Sequence, residues 1–145
     1  MAANFNRIAS FYDFLSSVFF GKKLIKASAY HLDLVPANAR ILIIGGGTGS
    51  IIPKLFEKIE PDYVLFLDNS EAMVNITKQK VKDLILQKST KIEFRVGTAE
   101  DMRPEETFDV IITNFFLDLF DREQLMVIMK KLYNHLKTGG VLGFY

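Results

Sequence analysis

Hydrophobic positions along the 145-residue chain follow two different periods. Five short stretches are rich in β-branched and aromatic residues, which is typical of buried strands. These stretches are residues 40–44, 63–67, 92–96, 108–113 and 141–145. Between them, apolar residues recur at spacings of three and four, the period of an amphipathic helix. The alternation predicts an α/β domain with a mostly parallel sheet, because strands joined by helical crossovers run in the same direction.

Two of the predicted helices carry recognisable end signals. Ser70 is the predicted N-cap of a helix that continues through residue 85. Asp121 and Gln124 have the spacing of a capping box, and the helix that they open is predicted to continue until Gly139 and Gly140 end it. Right-handed crossovers between such elements give a doubly wound, Rossmann-like sheet of order 3-2-1-4-5, whose ligands bind at the carboxyl ends of the strands near the switch point.

Residues 1–38 are predicted to form a helical segment ahead of the α/β domain, which spans residues 39–145. The first of these helices is apolar on almost every side, so it must be buried on more than one face. Packing on the sheet and closure over the ligand pocket as a lid are both open interpretations. Attachment to a membrane surface is less favoured, since the segment lacks a basic polar face.

Composition and charge exclude several classes of protein. The chain is 49% hydrophobic and 24% charged, with a net charge of +1 and no cysteine. Disulfides and thiolate metal sites are therefore excluded, and we expect no metal and no nucleic-acid partner. Two histidines, His31 and His135, are interpreted as structural or solvated residues. No apolar run is long enough to span a bilayer, so the expected location is the cytoplasm.

The first predicted strand ends in a run of glycines, Gly45, Gly46, Gly47 and Gly49. Glycine permits positive φ and removes the Cβ that would block a ligand from the backbone. A tight turn alone would need only one or two glycines. A dinucleotide fingerprint has its last glycine or alanine one position after Gly49, where this chain has Ser50. The loop therefore fits a nucleoside better than a pyrophosphate.

Asp68 directly follows the second predicted strand, about twenty residues beyond the glycines. An acid at this spacing accepts hydrogen bonds from both hydroxyls of a ribose. Capping of the helix that begins near Ser70 is the alternative role, but Ser70 can serve as that cap itself. The glycine loop and Asp68 together predict a site for an adenosine-bearing cofactor.

Five blocks of the sequence, in this order, resemble the class I S-adenosylmethionine-dependent methyltransferases. The blocks are ILIIGGGTG, LDNSEAM, IEFRVGTAEDM, FDVIITNFFLDLF and LYNHLKTGGVLGFY. The leading segment NRIASFYDF is similar to the start of the ubiquinone/menaquinone-biosynthesis methyltransferases. The resemblance implies a small-molecule methyltransferase with S-adenosyl-L-methionine as its cofactor.

The resemblance also implies roles for individual residues. The glycines would face the methionine part of the cofactor, Asp68 would hold its ribose, and the other implied contacts are with the adenosine and the sulfonium. Asn69 and Ser70 would flank the adenosine, Thr98, Ala99 and Glu100 would meet the adenine through their backbone, and Asn114 and Phe115 would line the floor beneath the sulfonium.

Two positions depart from the pattern of the family. Its members usually carry an acid at the position of Ile43, near the amino group of the cofactor, and an Asp at the position of Thr98, near the adenine amino group. Thr98 can still accept a hydrogen bond, whereas Ile43 cannot. A catalytically silent binding module is therefore an alternative to an enzyme, and an NAD-dependent oxidoreductase is a second alternative that the glycine spacing disfavours.

Members of the family also continue past the fifth strand into a helix and an antiparallel strand pair, whereas this sequence stops at Tyr145. The bare edge of the last strand is apolar, which proteins in water avoid. We expect this edge to be covered by the N-terminal segment or by another chain, as in a homo-oligomer, unless the sequence is cropped.

No strong general base is evident in the sequence. Tyr12, Asp13 and Asp118 are weak candidates, and Asp101 and Asp109 are interpreted as turn residues. Methyl transfer from a sulfonium mainly requires positioning in a water-poor pocket, so the absence of an obvious base does not exclude the activity.

Overall fold

The computed structural model describes residues 23–26, 35–45, 49–113 and 121–144. Six strands and four α-helices lie in these ranges. The strands are β1 (Lys23–Lys26), β2 (Arg40–Ile44), β3 (Tyr63–Asp68), β4 (Lys91–Val96), β5 (Phe108–Thr113) and β6 (Leu136–Phe144). The helices are α1 (Ile51–Lys58), α2 (Glu71–Lys80), α3 (Lys82–Leu86) and α4 (Arg122–Asn134), and a 3₁₀ turn spans Ala99–Asp101. Among them, no helix is long and apolar enough to cross a membrane.

The strands of the described residues form one sheet of order β1-β6-β5-β2-β3-β4, and all its pairings are parallel. The five strands from β2 to β6 therefore have the predicted order 3-2-1-4-5, which is confirmed. Chain order reverses between β2 and β5, because β2 is flanked by β3 on one side and β5 on the other. The carboxyl end of β2 lies at this switch point, where an open α/β sheet binds its ligands.

The outer edge of β6 is covered by β1. The N-terminal segment therefore covers the strand edge for which the sequence had predicted no partner strand. Lys23 pairs with Val141 and Lys26 with Phe144. These four residues of the predicted helical lid are thus a strand of the sheet, and the rest of residues 1–34 lies outside the described residues. Self-association through the edge of the sheet stays an untested prediction.

The sheet buries apolar residues on both of its faces. Ile41, Ile43, Val64 and Phe66 belong to one cluster, which also contains residues of α1 and α2. Leu42, Leu65, Leu67 and Ile111 belong to the other cluster, which contains residues of α4. Neighbouring residues of a strand point to opposite faces, so strands covered by helices on both sides read as continuous apolar runs.

The helix predicted to begin at Ser70 begins there. Ser70 Oγ accepts a hydrogen bond from the Met73 N–H at 3.2 Å, as expected of an N-cap. The single helix predicted through residue 85 is divided into α2 and α3 at Val81, whose ψ of 3° departs from the helical value. Val81 is fully buried in the cluster beneath α1 and α2.

The capping box at the start of α4 is confirmed, but the predicted end of this helix is wrong. The Gln124 N–H donates to Asp121 Oδ1 at 2.8 Å, and the Asp121 N–H donates to Gln124 Oε1 at 3.0 Å. The helix ends at Asn134, five residues before Gly139. Leu136 already pairs with Phe108 of β5.

Pairing with β5 overrides the helical pattern after Asn134. The Phe108 N–H donates to the His135 carbonyl at 2.8 Å, which starts β6 immediately after the helix. A register shift between Phe108 and Val110 absorbs the irregularity, and Gly139 takes a φ of 79° within β6. Leu136 is buried in β6, and its spacing of four from Leu132 also suits the apolar face of a helix, so the pattern could not locate the boundary.

Candidate functional site

Three neighbouring strands, β2, β3 and β4, end side by side at the carboxyl edge of the sheet. The Gly45 N–H donates to the Leu67 carbonyl at 2.9 Å, and the Gly97 N–H donates to the Asp68 carbonyl at 2.8 Å. These hydrogen bonds extend the strand pairing one residue beyond β2 and β4. Adjacent strands lie about 4.8 Å apart, so the three ends span about 10 Å. The glycine loop, Asp68 and the turn after β4 therefore follow one another along this edge.

The glycine loop begins and ends with backbone that other residues rarely adopt. Gly45 has a φ of 67° and Gly49 a φ of 72°, while Gly46 and Gly47 lie outside the described residues. A Cβ on Gly49 would collide with Thr77 Cγ2 of α2. The structure therefore shows Gly49 packing the loop against α2, and a contact between the glycines and a ligand stays a prediction.

Asp68 is the last residue of β3, and it is 7% exposed. Its Oδ1 accepts the Ser70 N–H at 2.9 Å, while Ser70 caps α2 with its own side chain. Asp68 thus supports the start of α2 as well as standing next to the end of β2. A carboxylate has about four acceptor positions, so it can accept several hydrogen bonds at once. Asn69, the next residue, is exposed.

The turn after β4 is closed by its own polar groups. The Thr98 N–H donates to Asp101 Oδ2 at 2.7 Å, and the Glu100 N–H donates to Thr98 Oγ1 at 3.2 Å. The turn interpretation of Asp101 is confirmed by this contact. Ala99 is 8% exposed and packs into the cluster beneath α4, which anchors the turn to the sheet.

Ile43 occupies the position at which the resembling family carries an acid. Its side chain is fully buried, and it belongs to the apolar cluster under α1 and α2. An ionised carboxylate placed among these side chains would lose its hydration without a charged partner, which is costly. The apolar environment is therefore consistent with the isoleucine at this position.

A network of charged side chains connects β4 with Glu106, in the segment that follows the turn. Arg95 Nη1 and Nη2 donate to the two carboxylate oxygens of Glu106 at 3.0 and 2.7 Å, and Nη2 also donates to Glu93 at 3.0 Å. The Tyr63 hydroxyl donates to the other Glu93 oxygen. This network was not predicted from the sequence. The alternation of Glu93 and Arg95 on one strand face was a local signal, but Glu106 is brought in only by the fold.

The pKa values in this network follow from its hydrogen bonds. The Arg95 guanidinium holds the pKa of Glu106 below its usual value. The Tyr63 hydroxyl, and after it Arg95, lowers the pKa of Glu93. Burial, reinforced by the hydrogen bond to Glu93, raises the pKa of Tyr63 to about 12. Both carboxyl groups are therefore ionised at neutral pH, and Tyr63 keeps its proton as a donor.

A polar cavity of about 450 Å³ lies at the amino ends of β2, β3 and β4, away from the glycine loop. Arg40, Tyr63, Lys91 and Glu93 are among its lining residues. Arg40 stacks on the ring of Tyr63, with the guanidinium carbon 4.4 Å from the ring centre. Acidic and basic residues both line this cavity, so its charge does not select a ligand of one sign.

The other candidate residues divide into two groups. His135 is buried and contacts the Glu106 carbonyl through Nδ1 at 2.7 Å, which confirms its structural interpretation. Asp109 accepts the Arg40 N–H at 2.8 Å, but it lies within β5, so its interpretation as a turn residue is wrong. The remaining candidates lie outside the described residues: Tyr12, Asp13, His31, Asn114, Phe115 and Asp118.

Comparison with known proteins agrees with this geometry. A family model described as a methyltransferase domain matches residues 42–142, which is more than half of the chain. The chain is similar to a malonyl-[acyl-carrier protein] O-methyltransferase of Bacillus cytotoxicus, with 31% identity over 143 residues, 97% of this chain and 47% of that protein. It is also similar to a ubiquinone/menaquinone biosynthesis C-methyltransferase of Pseudomonas fluorescens, with 29% identity over 98% of this chain and 56% of that protein.

Solved structures share the fold. An amino pentose methyltransferase from Micromonospora echinaspora, solved with bound S-adenosylmethionine, superposes with a TM-score of 0.62 at 21% identity. The match covers 80% of this chain and 46% of that one. The chain spans about half the length of the curated relatives it matches.

Proposed function

Because the chain belongs to the family of methyltransferase domains, we propose that it binds S-adenosylmethionine and transfers the methyl group to a small-molecule acceptor. The observation that carries this proposal is the adjacency of the glycine loop and Asp68. Ile44, the residue before the loop, pairs with Leu67, the residue before the acid. Backbone with positive φ and a carboxylate therefore stand on neighbouring strands at the switch point.

The order of the residues along this edge supports the proposal. The ribose has two hydroxyls, which the Asp68 carboxylate would accept as hydrogen-bond donors. The methionine tail would then extend toward the end of β2, where the glycines remove side chains from the path. The base would extend the other way, toward Thr98 and Ala99 at the end of β4.

Two substitutions set this site apart from the resembling family. Ile43 offers no acceptor to the amino group of the cofactor, and Thr98 offers a hydroxyl where a carboxylate is usual. A hydrogen bond to a charged group contributes about 1.5–3 kcal/mol. Each substitution would therefore weaken cofactor binding by about tenfold to a hundredfold unless other residues compensate.

The cofactor, when bound, supplies a methyl group already activated by a positively charged sulfur. The chain has to hold the acceptor close to that methyl group and keep water away. Tyr12 and Asp118 remain the proposed general bases for an acceptor that must lose a proton. The names of the relatives refer to a carrier-bound acid and to a quinone. We propose an organic acceptor of this kind, free or attached to a carrier.

Calorimetric titration tests the proposal directly. S-Adenosylmethionine, S-adenosylhomocysteine and NAD are titrated separately into the protein. Binding of the two sulfur-containing nucleosides without NAD supports the proposal. Binding of NAD alone would indicate an oxidoreductase, and binding of none of the three would indicate a catalytically silent module.

The Asp68→Asn variant shows whether binding occurs at the proposed site. Asparagine keeps an oxygen that can accept the Ser70 N–H, so the start of α2 is preserved. Loss of the charge should weaken S-adenosylhomocysteine binding by about tenfold or more. Asp109→Asn is the control, because Asp109 contacts Arg40 and Lys137 rather than the loop. Equal affinities for both variants would place the ligand elsewhere.

A further inference from the structure

We infer that Arg95 is a positioning residue, which holds the turn at residues 97–101 in the shape that receives the base of the nucleoside ligand. The inference rests on the proposed function, since it concerns how the same site recognises the base of its ligand. Arg95 is the penultimate residue of β4, two positions before Gly97. It therefore lies at the base of the turn without entering the proposed ligand position.

The turn is placed beside the proposed ribose site by a backbone contact. The Gly97 N–H donates to the carbonyl of Asp68, the residue proposed to hold the ribose. A nucleoside whose tail lies over the glycine loop and whose ribose lies on Asp68 has its base over the next strand end. That strand end is the turn after β4, because β4 is the neighbour of β3 on the side away from β2.

The shape of the turn depends on the position of Asp101. Asp101 Oδ2 accepts the Thr98 N–H at 2.7 Å, and a Cβ on Gly97 would collide with the same carboxylate. The Asp101 side chain thus folds back over Gly97 and fixes the direction of the Thr98 backbone. A displacement of Asp101 would redirect Thr98 and Ala99 together.

Arg95 holds both ends of the chain segment that carries Asp101. Its Nη1 contacts the Asp101 carbonyl at 3.4 Å and Glu106 Oε2 at 3.0 Å. Glu106 Oε2 also accepts the Arg103 N–H at 3.1 Å, so the segment returns to Arg95 as a closed loop. A bidentate arginine–carboxylate pair has a defined geometry, which a single charge contact lacks.

Burial distinguishes the Arg95–Glu106 pair, called the tether below, from the ion pair between Lys131 and Glu100 of the turn. The side chains of Arg95 and Glu106 are 15% and 11% exposed. Lys131 of α4 contacts Glu100, whose side chain is 72% exposed. Exposed pairs contribute little, because water screens them. The Arg95–Glu106 pair is therefore the contact expected to set the geometry of the turn.

The test compares Arg95→Met with Tyr63→Phe. The first variant removes the tether. The second removes the hydroxyl that contacts Glu93 in the same network but does not touch the turn. Hydrogen–deuterium exchange is measured without ligand at the amides of Thr98 and Glu100. Arg95→Met should raise exchange at both amides by about tenfold, and Tyr63→Phe should leave it within twofold of the wild type.

A second measurement separates base recognition from general stability. Affinity is measured for S-adenosylhomocysteine and for S-inosylhomocysteine, which differ only in the base. The wild type should prefer the adenine compound, and Arg95→Met should reduce this preference by about fivefold or more. Arg95→Lys, which keeps the charge but not the bidentate geometry and is less disruptive to folding, should give an intermediate preference. Destabilisation alone would weaken both ligands equally.

The outcomes separate the inference from the proposed function. An unchanged preference in Arg95→Met and Arg95→Lys overturns the inference, even if S-adenosylhomocysteine binds well. Equal exchange rates at Thr98 in Arg95→Met and Tyr63→Phe also overturn it, and this measurement needs no ligand. Failure of the wild type to bind either compound contradicts the proposed function.

Discussion

The loop after β2 and the turn after β4 stand at the same edge of the sheet, but they are built in different ways. In the loop, Gly49 packs closely against α2 because it has no side chain, and Thr77 fills the space that a Cβ would take. In the turn, Thr98 and Asp101 are held by hydrogen bonds between polar groups, with Arg95 and Glu106 beneath them.

The difference indicates how each element responds to substitution. A loop shaped by packing and positive φ has no alternative arrangement that tolerates a larger residue. A turn shaped by several hydrogen bonds loses them one at a time, and each contributes about 1 kcal/mol. Changes near the loop should therefore affect stability strongly, whereas changes in the turn should affect ligand recognition with a small loss of stability.

The largest effect is expected from Ile43→Asp, in the strand that leads into the loop. Ile43 is fully buried among apolar side chains, so a carboxyl group there should lower the free energy of unfolding by about 4 kcal/mol. Ile43→Val is the control and should cost about 1 kcal/mol. Urea denaturation measures both. Wild-type stability together with tighter S-adenosylmethionine binding would show that the position faces the ligand instead.

Gly49→Ala should have the next largest effect. Its φ of 72° and the collision of the new Cβ with Thr77 should together cost about 3 kcal/mol. Gly139→Ala is a matched control, because Gly139 has a φ of 79° but no atom lies within 4 Å of the position that its Cβ would take, and it should cost about 1 kcal/mol. Thermal unfolding compares the two. Equal losses would mean that packing against Thr77 does not matter.

Asp101→Ala should open the turn at a cost of about 1 kcal/mol. Its carboxylate accepts the Thr98 N–H at 2.7 Å, and alanine has no side-chain acceptor for that bond. Asp121→Ala is the matched control, since it removes the capping box of α4 by the same substitution. The two variants should have similar stability, but only Asp101→Ala should weaken S-adenosylhomocysteine binding. Equal affinities would argue that the turn does not contact the ligand.

The smallest effect is expected from pH. The pKa of Glu106 and that of Glu93 are lowered in the folded protein, so their stabilising contribution is complete above pH 4.5 and is lost as the pH falls below that value. Arg95→Met removes the largest cause of the Glu106 shift and should reduce this loss at acid pH. Urea denaturation at a series of pH values measures it. Lys131→Met is the control, since its ion pair is exposed, and it should leave the acid dependence unchanged.

Much of the fold could be predicted because its signals are local. Strand β2 is a run of branched apolar residues that ends in glycine, and the alternation of such runs with helical spacings determines the parallel order. The caps of α2 and α4 were predictable for the same reason, because Ser70 and Asp121 each contact a residue three positions away. Asp68 could be placed from its distance along the chain from the glycines.

The errors arose where a distant part of the chain decided the outcome. The end of α4 was placed too late because Leu136 suits both a helix and a strand, and pairing with Phe108 selects the strand. Strand β1 was not predicted, because only the edge of β6 makes an extended conformation favourable for residues 23–26. A short segment that pairs along one edge carries little pattern of its own.

The sequence by itself determined the period of each element, the position of the glycine loop and the acid at the end of β3, since these depend on neighbouring residues. Only the tertiary structure decided that Gly49 packs on Thr77 and that helices cover Ile43. It also decided that Arg95 donates hydrogen bonds to Glu106, eleven residues away. Those contacts join residues that no periodic pattern relates. Their geometry is set by how the helices and loops pack on the sheet, which is a property of the folded chain.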